Sequence, residues 1–185
     1  MGHGSDADLS CLGHLDLKTV LHLGCGGEPL PPNMQHLQET RLDIDPKCKP
    51  DIVADMANLP EDIGPFDAAY AAHSLEHLPP HGVESCLSGI LKILKPGGSA
   101  IIRVPDLAGI SPTDDVLYMA GNIPVCAADL FYGWRPFLKA MPHMAHRTGF
   151  VKSTLRDALQ KAGFEKVQVE RVLPAYELFA TGMRP

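Results

Sequence analysis

A chain of 185 residues, 45% hydrophobic and 21% charged, is of ordinary globular make-up and long enough to bury a core, but short for a layered α/β fold that also carries a separate substrate domain. Its net charge of −6 argues against a nucleic-acid surface, which rests on clustered Lys and Arg. With no apolar run of about 18 residues and no basic-then-apolar leader, neither a membrane span nor a signal peptide is expected, and the default compartment is the cytoplasm.

Residues 1–16 are rich in Gly, His, Asp and Ser without a period, and are expected to form a flexible leader ahead of one domain over residues 17–185. Lys18 to Leu23 is an apolar run suited to a central strand buried on both faces. It runs into the turn Gly24-Cys25-Gly26-Gly27, and glycine is required where the backbone takes positive φ or must let a ligand approach closely. Pro29, Pro31 and Pro32 delay the first helix, which is predicted to be short, about Pro32 to Glu39. Arg41 to Ile44 and Ile52 to Ala54 read as the second and third strands. Asp43, at the tip of the second strand, is placed to accept both hydroxyls of a ribose, so turn and acid together point to a nucleotide-type cofactor. A dinucleotide fingerprint needs a third glycine inside the first helical turn, and here Glu28 and Pro29 follow instead.

Phe66 to His73 reads as the fourth strand, whose carboxyl end meets the first strand at the topological switch point, so His73 is expected at or beside the site. His73, His77 and His81 recur every four residues, but Pro79 and Pro80 break any helix that would align them, and no metal site is expected. The five cysteines are odd in number and lack a Cys-x-x-Cys pair, which suggests reduced thiols. Val83 to Leu94 has helical apolar spacing, Lys95-Pro96-Gly97-Gly98 stops it, and Ser99 to Val104 is the fifth strand. Residues 105–149 are irregular and aromatic, and are expected to supply a lid or substrate wall. Tyr132, Trp134, Arg135 and Arg147 are its substrate-contact candidates, although such rings also suit a small satellite core. Ser153 to Ala162 reads as a helix stopped by Gly163, followed by strands over Lys166–Val172 and Tyr176–Thr181.

Four motifs carry a family resemblance: Leu-Gly-Cys-Gly, Asp55-Met56 with Leu59-Pro60, Leu75-Glu76-His77-Leu78, and Leu-Lys-Pro-Gly-Gly. With the closing pair of strands they make the chain, over about residues 18–182, similar to class I S-adenosylmethionine-dependent methyltransferases. Residues 41–46, 104–107, 130–136 and 144–150 resemble a group of small, type 11-like members. The resemblance implies a Rossmann-like three-layer αβα sandwich with a mostly parallel seven-stranded sheet ending in an antiparallel hairpin. It implies S-adenosylmethionine as cofactor and S-adenosylhomocysteine as product. By position, Gly24, Cys25 and Gly26 form the turn beside the methionine moiety, Asp43 takes the ribose, Asp55 and Met56 hold the adenine, and Ile44 and His73 lie against the cofactor.

One departure is His22, where many relatives have an acid, so that a neutral imidazole or a water must replace its contact. The leading expectation is in-line methyl transfer to a small-molecule acceptor, with His146, then His73 and His143, as general-base candidates because histidine titrates near neutral pH. The alternative is a non-catalytic S-adenosylmethionine- or S-adenosylhomocysteine-binding partner or sensor. No nucleic-acid or membrane partner is expected. With so little chain to roof the site, two copies pairing across residues 105–149 is the homodimer the sequence suggests.

Overall fold

The computed structural model describes residues 17–185, so the expected leader over residues 1–16 lies outside the described residues. Among the described residues nine strands form: β1 (Thr19–Leu23), β2 (Gln38–Asp43), β3 (Ile52–Val53), β4 (Phe66–Ala72), β5 (Leu94–Pro105), β6 (Val116–Ala120), β7 (Ile123–Cys126), β8 (Glu165–Val172) and β9 (Glu177–Met183). Seven make one sheet in the order β3-β2-β1-β4-β5-β9-β8, and β6 pairs with β7 as a separate hairpin. The first five strands of the sheet run parallel, and β9 and β8 close it antiparallel. The strand order reverses between β1 and β4, which opens a crevice at their carboxyl ends.

Alternation along the strands sorts two cores. Leu21, Leu23, Leu42, Ala69, Ala71, Ile102, Val104 and Leu178 pack under α1 (Pro80–Ile93) and α3 (Lys152–Ala162), whose own stripes are Val83, Leu87 and Ile90, and Leu155 and Leu159. On the opposite face Val20, Ala68, Tyr70, Ile101 and Phe179 are covered by Leu30, Met34 and Leu37 from the β1–β2 connection. α1 begins at Pro80, three residues before the predicted Val83, because Pro80 occupies its first turn and lacks only an N–H that would have no partner there. Gly163 ends α3 at φ +103°.

Three expectations are corrected. The helix predicted over residues 32–39 is a single 3-10 turn, Pro32–Met34, after which β2 already begins at Gln38. Pro32, in the first turn, does not itself forbid a longer helix; Leu30, Met34 and Leu37 are drawn onto the sheet and the chain becomes strand at Gln38. The Lys-Pro-Gly-Gly stop is absorbed into β5, with Gly97 N–H donating to Arg184 O at 3.0 Å and Arg184 N–H to Gly98 O at 2.8 Å. Residues 105–149 are more regular than expected, holding the β6–β7 hairpin and a short helix, α2 (Ala127–Tyr132).

β1 is tied to β4 at its start by one carboxylate. Asp67 Oδ2 accepts from Thr19 N–H and Thr19 Oγ1, each at 2.9 Å, and from Lys18 N–H at 3.1 Å, while Lys95 Nζ lies 2.7 Å from Oδ1. Burial opposes the charge, but the bonds from Lys95, Thr19 and Lys18 outweigh it and hold the pKa down to about 2 from 3.8. A depressed carboxyl stabilises the fold above its unfolded value and loses that contribution as pH falls through its folded one. Asp67 is therefore expected to contribute about 2 kcal/mol at neutral pH. Urea unfolding of wild type and Asp67→Asn should differ by that amount at pH 7 and converge towards pH 2; a constant gap would refute the assignment.

Candidate active site

The turn after β1 places Gly24 at φ +61° and Gly26 at φ +50°, as its sequence requires. Asp43 clips this turn to the one after β2: Gly26 N–H donates to Oδ2 at 2.7 Å and Asp45 N–H to Oδ1 at 2.8 Å. Each oxygen keeps a second acceptor position, so the carboxylate is held in place and remains able to bind a ligand. Arg41 braces the same turn through Gly26 O at 2.9 Å and Glu28 O at 3.0 Å. Cys25 is buried and its thiol pKa is pushed up by that burial, which marks it as a packing residue. Ile44 stands 55% exposed beside Asp43, an apolar surface at the carboxyl edge of the sheet. Asp55 caps the 3-10 turn Met56–Asn58 by accepting from Ala57 N–H at 2.9 Å, and Met56 is buried against the α1 core.

His22 is only 3% exposed, and its Nδ1 lies 2.6 Å from Glu39 Oε1, which also takes Arg41 Nη1 at 3.2 Å. Burial lowers its pKa and outweighs Glu39, so the ring is neutral and donates to the carboxylate. Glu39 thus sets a carboxylate against His22 at the end of β1.

At the carboxyl end of β4, His73 takes φ +49° and its ring is gripped by two carboxylates, Glu177 Oε2 at 3.3 Å from Nε2 and Glu76 Oε1 at 3.6 Å from Nδ1. The side chain is 52% exposed; partial desolvation at the sheet edge disfavours its charge, but Glu177 and then Glu76 outweigh it and raise the pKa, to about 10. Glu177 also pairs with Arg103 through Nε and, at 3.1 Å, through Nη2. Burial raises the pKa of Glu177, and His73 and Arg103 overcome it, so the net shift is downward.

Glu76 is 1% exposed, and neither of its carboxylate oxygens has a hydrogen-bond partner. Its backbone carbonyl accepts from Arg147 N–H at 2.8 Å and Thr148 N–H at 3.1 Å, which draws the end of the irregular segment onto the switch point. His146 follows: its Nδ1–H donates to Leu130 O at 2.9 Å and its Nε2 lies 3.9 Å from Glu76 Oε1. Burial, more than Glu76, sets its pKa, which is lowered.

His73 and His146 share a cavity of about 240 Å³ with Trp134, Tyr118 and Tyr176, under the β6–β7 hairpin. Tyr118 and Tyr176 stack with centroids 6.3 Å apart. The other candidates stand outside its lining. His143 is exposed on a 3-10 turn, Tyr132 is 53% exposed, and Arg147 reaches the site through its backbone alone. Arg135 instead clamps Asp129 at 3.0 Å and Asp114 at 2.8 Å. A second cavity, about 280 Å³ between α1 and α3, holds none of the predicted site residues. Glu76, Glu177 and Arg103 carry the electrostatics of the site and were given no role from sequence. The one available signal was an acid set among apolar neighbours, in Leu75-Glu76 and in Glu177-Leu178-Phe179.

The chain matches the family model described as a methyltransferase domain over residues 9–169. Among solved structures, an S-adenosylmethionine-dependent methyltransferase from Mesorhizobium loti is similar at 18% identity and TM-score 0.63, over 90% of each chain. One from Archaeoglobus fulgidus is similar at 16% identity and TM-score 0.62, over 91% of this chain and 86% of that one. The Burkholderia thailandensis 1,6-didemethyltoxoflavin-N1-methyltransferase, solved with 1,6-didemethyltoxoflavin and S-adenosylhomocysteine, matches at 19% identity and TM-score 0.59, over 90% and 70%. No curated protein matches significantly. At such identities these structures establish the fold, a Rossmann-like methyltransferase sheet.

Proposed function

Because the chain belongs to the methyltransferase domain family, we propose that it transfers a methyl group from S-adenosylmethionine to a small-molecule acceptor. The observation that carries this reading is Asp43, fixed by Gly26 and Asp45 at the carboxyl edge of the sheet with acceptor positions to spare. When bound, the cofactor's sulfonium supplies an electrophilic methyl group, and the protein's part is to position. In-line displacement needs the acceptor atom about 3–3.5 Å from the methyl carbon, and such alignment supplies about 7–11 kcal/mol. Gly26 leaves room for the methionine moiety while Gly24 lets the turn close on Ser74, Asp43 accepts the ribose hydroxyls, and Ile44, Asp55 and Met56 flank the adenine.

The acceptor occupies the cavity of about 240 Å³, whose Tyr118, Trp134 and Tyr176 suit a small planar molecule. His146 presents the bare Nε2 of a neutral ring there and receives a proton where the acceptor must lose one. His73 carries its charge at neutral pH, so it holds an electron-rich group of the acceptor instead of acting as a base. The residues of 105–149 that roof the cavity act as the lid of a single domain. The four described cysteines are free, which supports a reducing, cytoplasmic setting, and no described helix is long and apolar enough to cross a membrane.

Calorimetric titration with S-adenosylhomocysteine tests this, beside a nicotinamide dinucleotide that should not bind. Asp43→Ala removes a charge-assisted acceptor for two hydroxyls, each bond being worth about 1.5–3 kcal/mol, and should weaken binding about 100-fold or more. Unchanged affinity in that variant would overturn the ribose assignment. Cofactor binding without turnover of any acceptor would favour the partner or sensor reading.

A further inference from the structure

We propose that Glu76, His77 and His146 form a binding site for one divalent transition-metal ion of the zinc class. One ligand atom from each of the three lies within 4.8 Å of the others. Glu76 is 1% exposed, and although the charged His73 ring stands 3.6 Å from Oε1, both carboxylate oxygens lack a hydrogen bond, which is costly for a buried carboxylate. The rings nearest its Oε1, His73 Nδ1 at 3.6 Å and His146 Nε2 at 3.9 Å, both stand beyond hydrogen-bond distance.

The histidine tautomers point the same way. A carbonyl can only accept, so Leu130 O fixes the His146 proton on Nδ1 and turns the bare Nε2 towards the carboxylate. His77 lies between two carbonyls, His73 O at 3.0 Å from Nε2 and Ala145 O at 3.4 Å from Nδ1; the shorter contact favours the proton on Nε2, so that Nδ1 is the nitrogen with a lone pair to offer. Two lone-pair donors therefore surround a carboxylate with no donor of its own, each ring oriented by a backbone carbonyl on its far nitrogen, as metal-ligating histidines are.

Two imidazoles with one carboxylate suit zinc, cobalt or nickel and not magnesium or calcium, which take oxygen shells. Tetrahedral bonds of about 2.0–2.1 Å set ligand atoms about 3.3 Å apart, so the 3.9 Å between His146 and Glu76 closes by roughly 0.6 Å. His73, His77 and His81 share no helix face, and the third ligand comes instead from His146, brought in by the anchoring of residues 147 and 148 to Glu76 O. His146 lines the acceptor cavity, so an ion held by it would lie beside that cavity; the proton-accepting role of Nε2 belongs to the ion-free protein. The site does not rest on the methyl-transfer reading, and its test needs neither cofactor nor acceptor.

The full chain, stripped with a chelator, is titrated with Co²⁺ and followed by visible absorption. One ion per chain should bind with the d–d bands of a four- or five-coordinate site, be displaced by Zn²⁺, and be unaffected by millimolar Mg²⁺. Glu76→Gln and His146→Gln should each weaken binding about 100-fold or more, since even outer-shell changes cost 10–100-fold. His81→Ala, and the pair His3→Ala with His14→Ala outside the described residues, should leave it unchanged. Zn²⁺ should also raise the unfolding temperature of the wild type reversibly, which guards against variants that fail to fold. No bound ion, bands that survive in both Gln variants, or bands lost with His3 and His14 would each overturn the proposal.

Discussion

Glu177→Ala is expected to destabilise the protein by about 3–5 kcal/mol, the range for removing one partner of a buried ion pair. Glu177 is 4% exposed, and it faces Arg103, whose side chain is 12% exposed, together with His73. The intact pair is weak evidence of stability, because desolvation offsets most of its attraction; the loss comes from the guanidinium left without a counter-charge. Glu177→Gln keeps the shape and part of the hydrogen bonding and should cost less. In it, the pKa of His73 should fall from about 10 towards the ordinary imidazole range, because Glu177 leads the interactions that raise it.

The sign follows from linkage. A raised histidine stabilises fully below its unfolded pKa of about 6.5 and loses that contribution as pH rises through its folded value. Wild-type stability should therefore decline towards pH 10, and this decline should shrink in Glu177→Gln. Histidine proton chemical shifts and urea unfolding between pH 6 and 10 read both effects. A Glu177→Ala loss below about 1 kcal/mol, the worth of an exposed pair, would mean that water already screens these groups.

The parts of the molecule that could be read in advance are those whose cause is local. β1, β4, α1 and α3 follow from apolar periodicity, and the turn at Gly24–Gly26 with Asp43 follows from backbone freedom and the reach of a carboxylate. The first crossover departs from its predicted helix over residues 32–39 because the sheet draws Leu30 and Leu37 onto its face and claims Gln38 for β2, a long-range effect that local residue preferences do not show. The β6–β7 hairpin announces itself only by Gly121-Asn122, where Gly121 takes φ +62° as the first residue of a two-residue turn; its strands alternate too weakly to be seen. The Glu76 cluster could not be read at all, because it depends on contacts between distant segments. His143 and His146 look alike in sequence, yet the 3-10 turn Pro142–Met144 leaves the first exposed and feeds the second into the cavity.

Gly24→Ala should be among the most damaging small substitutions in the chain, and two glycines in the same turn show why. At Gly24, φ is +61° and a methyl group would overlap Ser74 Cβ, with Ser74 Oγ at 3.0 Å. The left-handed conformation costs alanine about 1 kcal/mol and overpacking a further 1–3 kcal/mol, about 2–4 kcal/mol together. At Gly26, φ is +50° and nothing lies within 4 Å of the added methyl, so Gly26→Ala should cost only the conformational part, about 1 kcal/mol. Binding should separate the two differently: a methyl on the open side of the turn stands where the methionine moiety must approach, so Gly26→Ala loses S-adenosylhomocysteine affinity while remaining stable. Ser74→Gly in the Gly24→Ala background removes the overlap and should return stability to the level of Gly26→Ala. If Gly24→Ala proves as stable as Gly26→Ala without that second change, Ser74 yields freely and the close packing of β4's exit against the turn does not hold the site together.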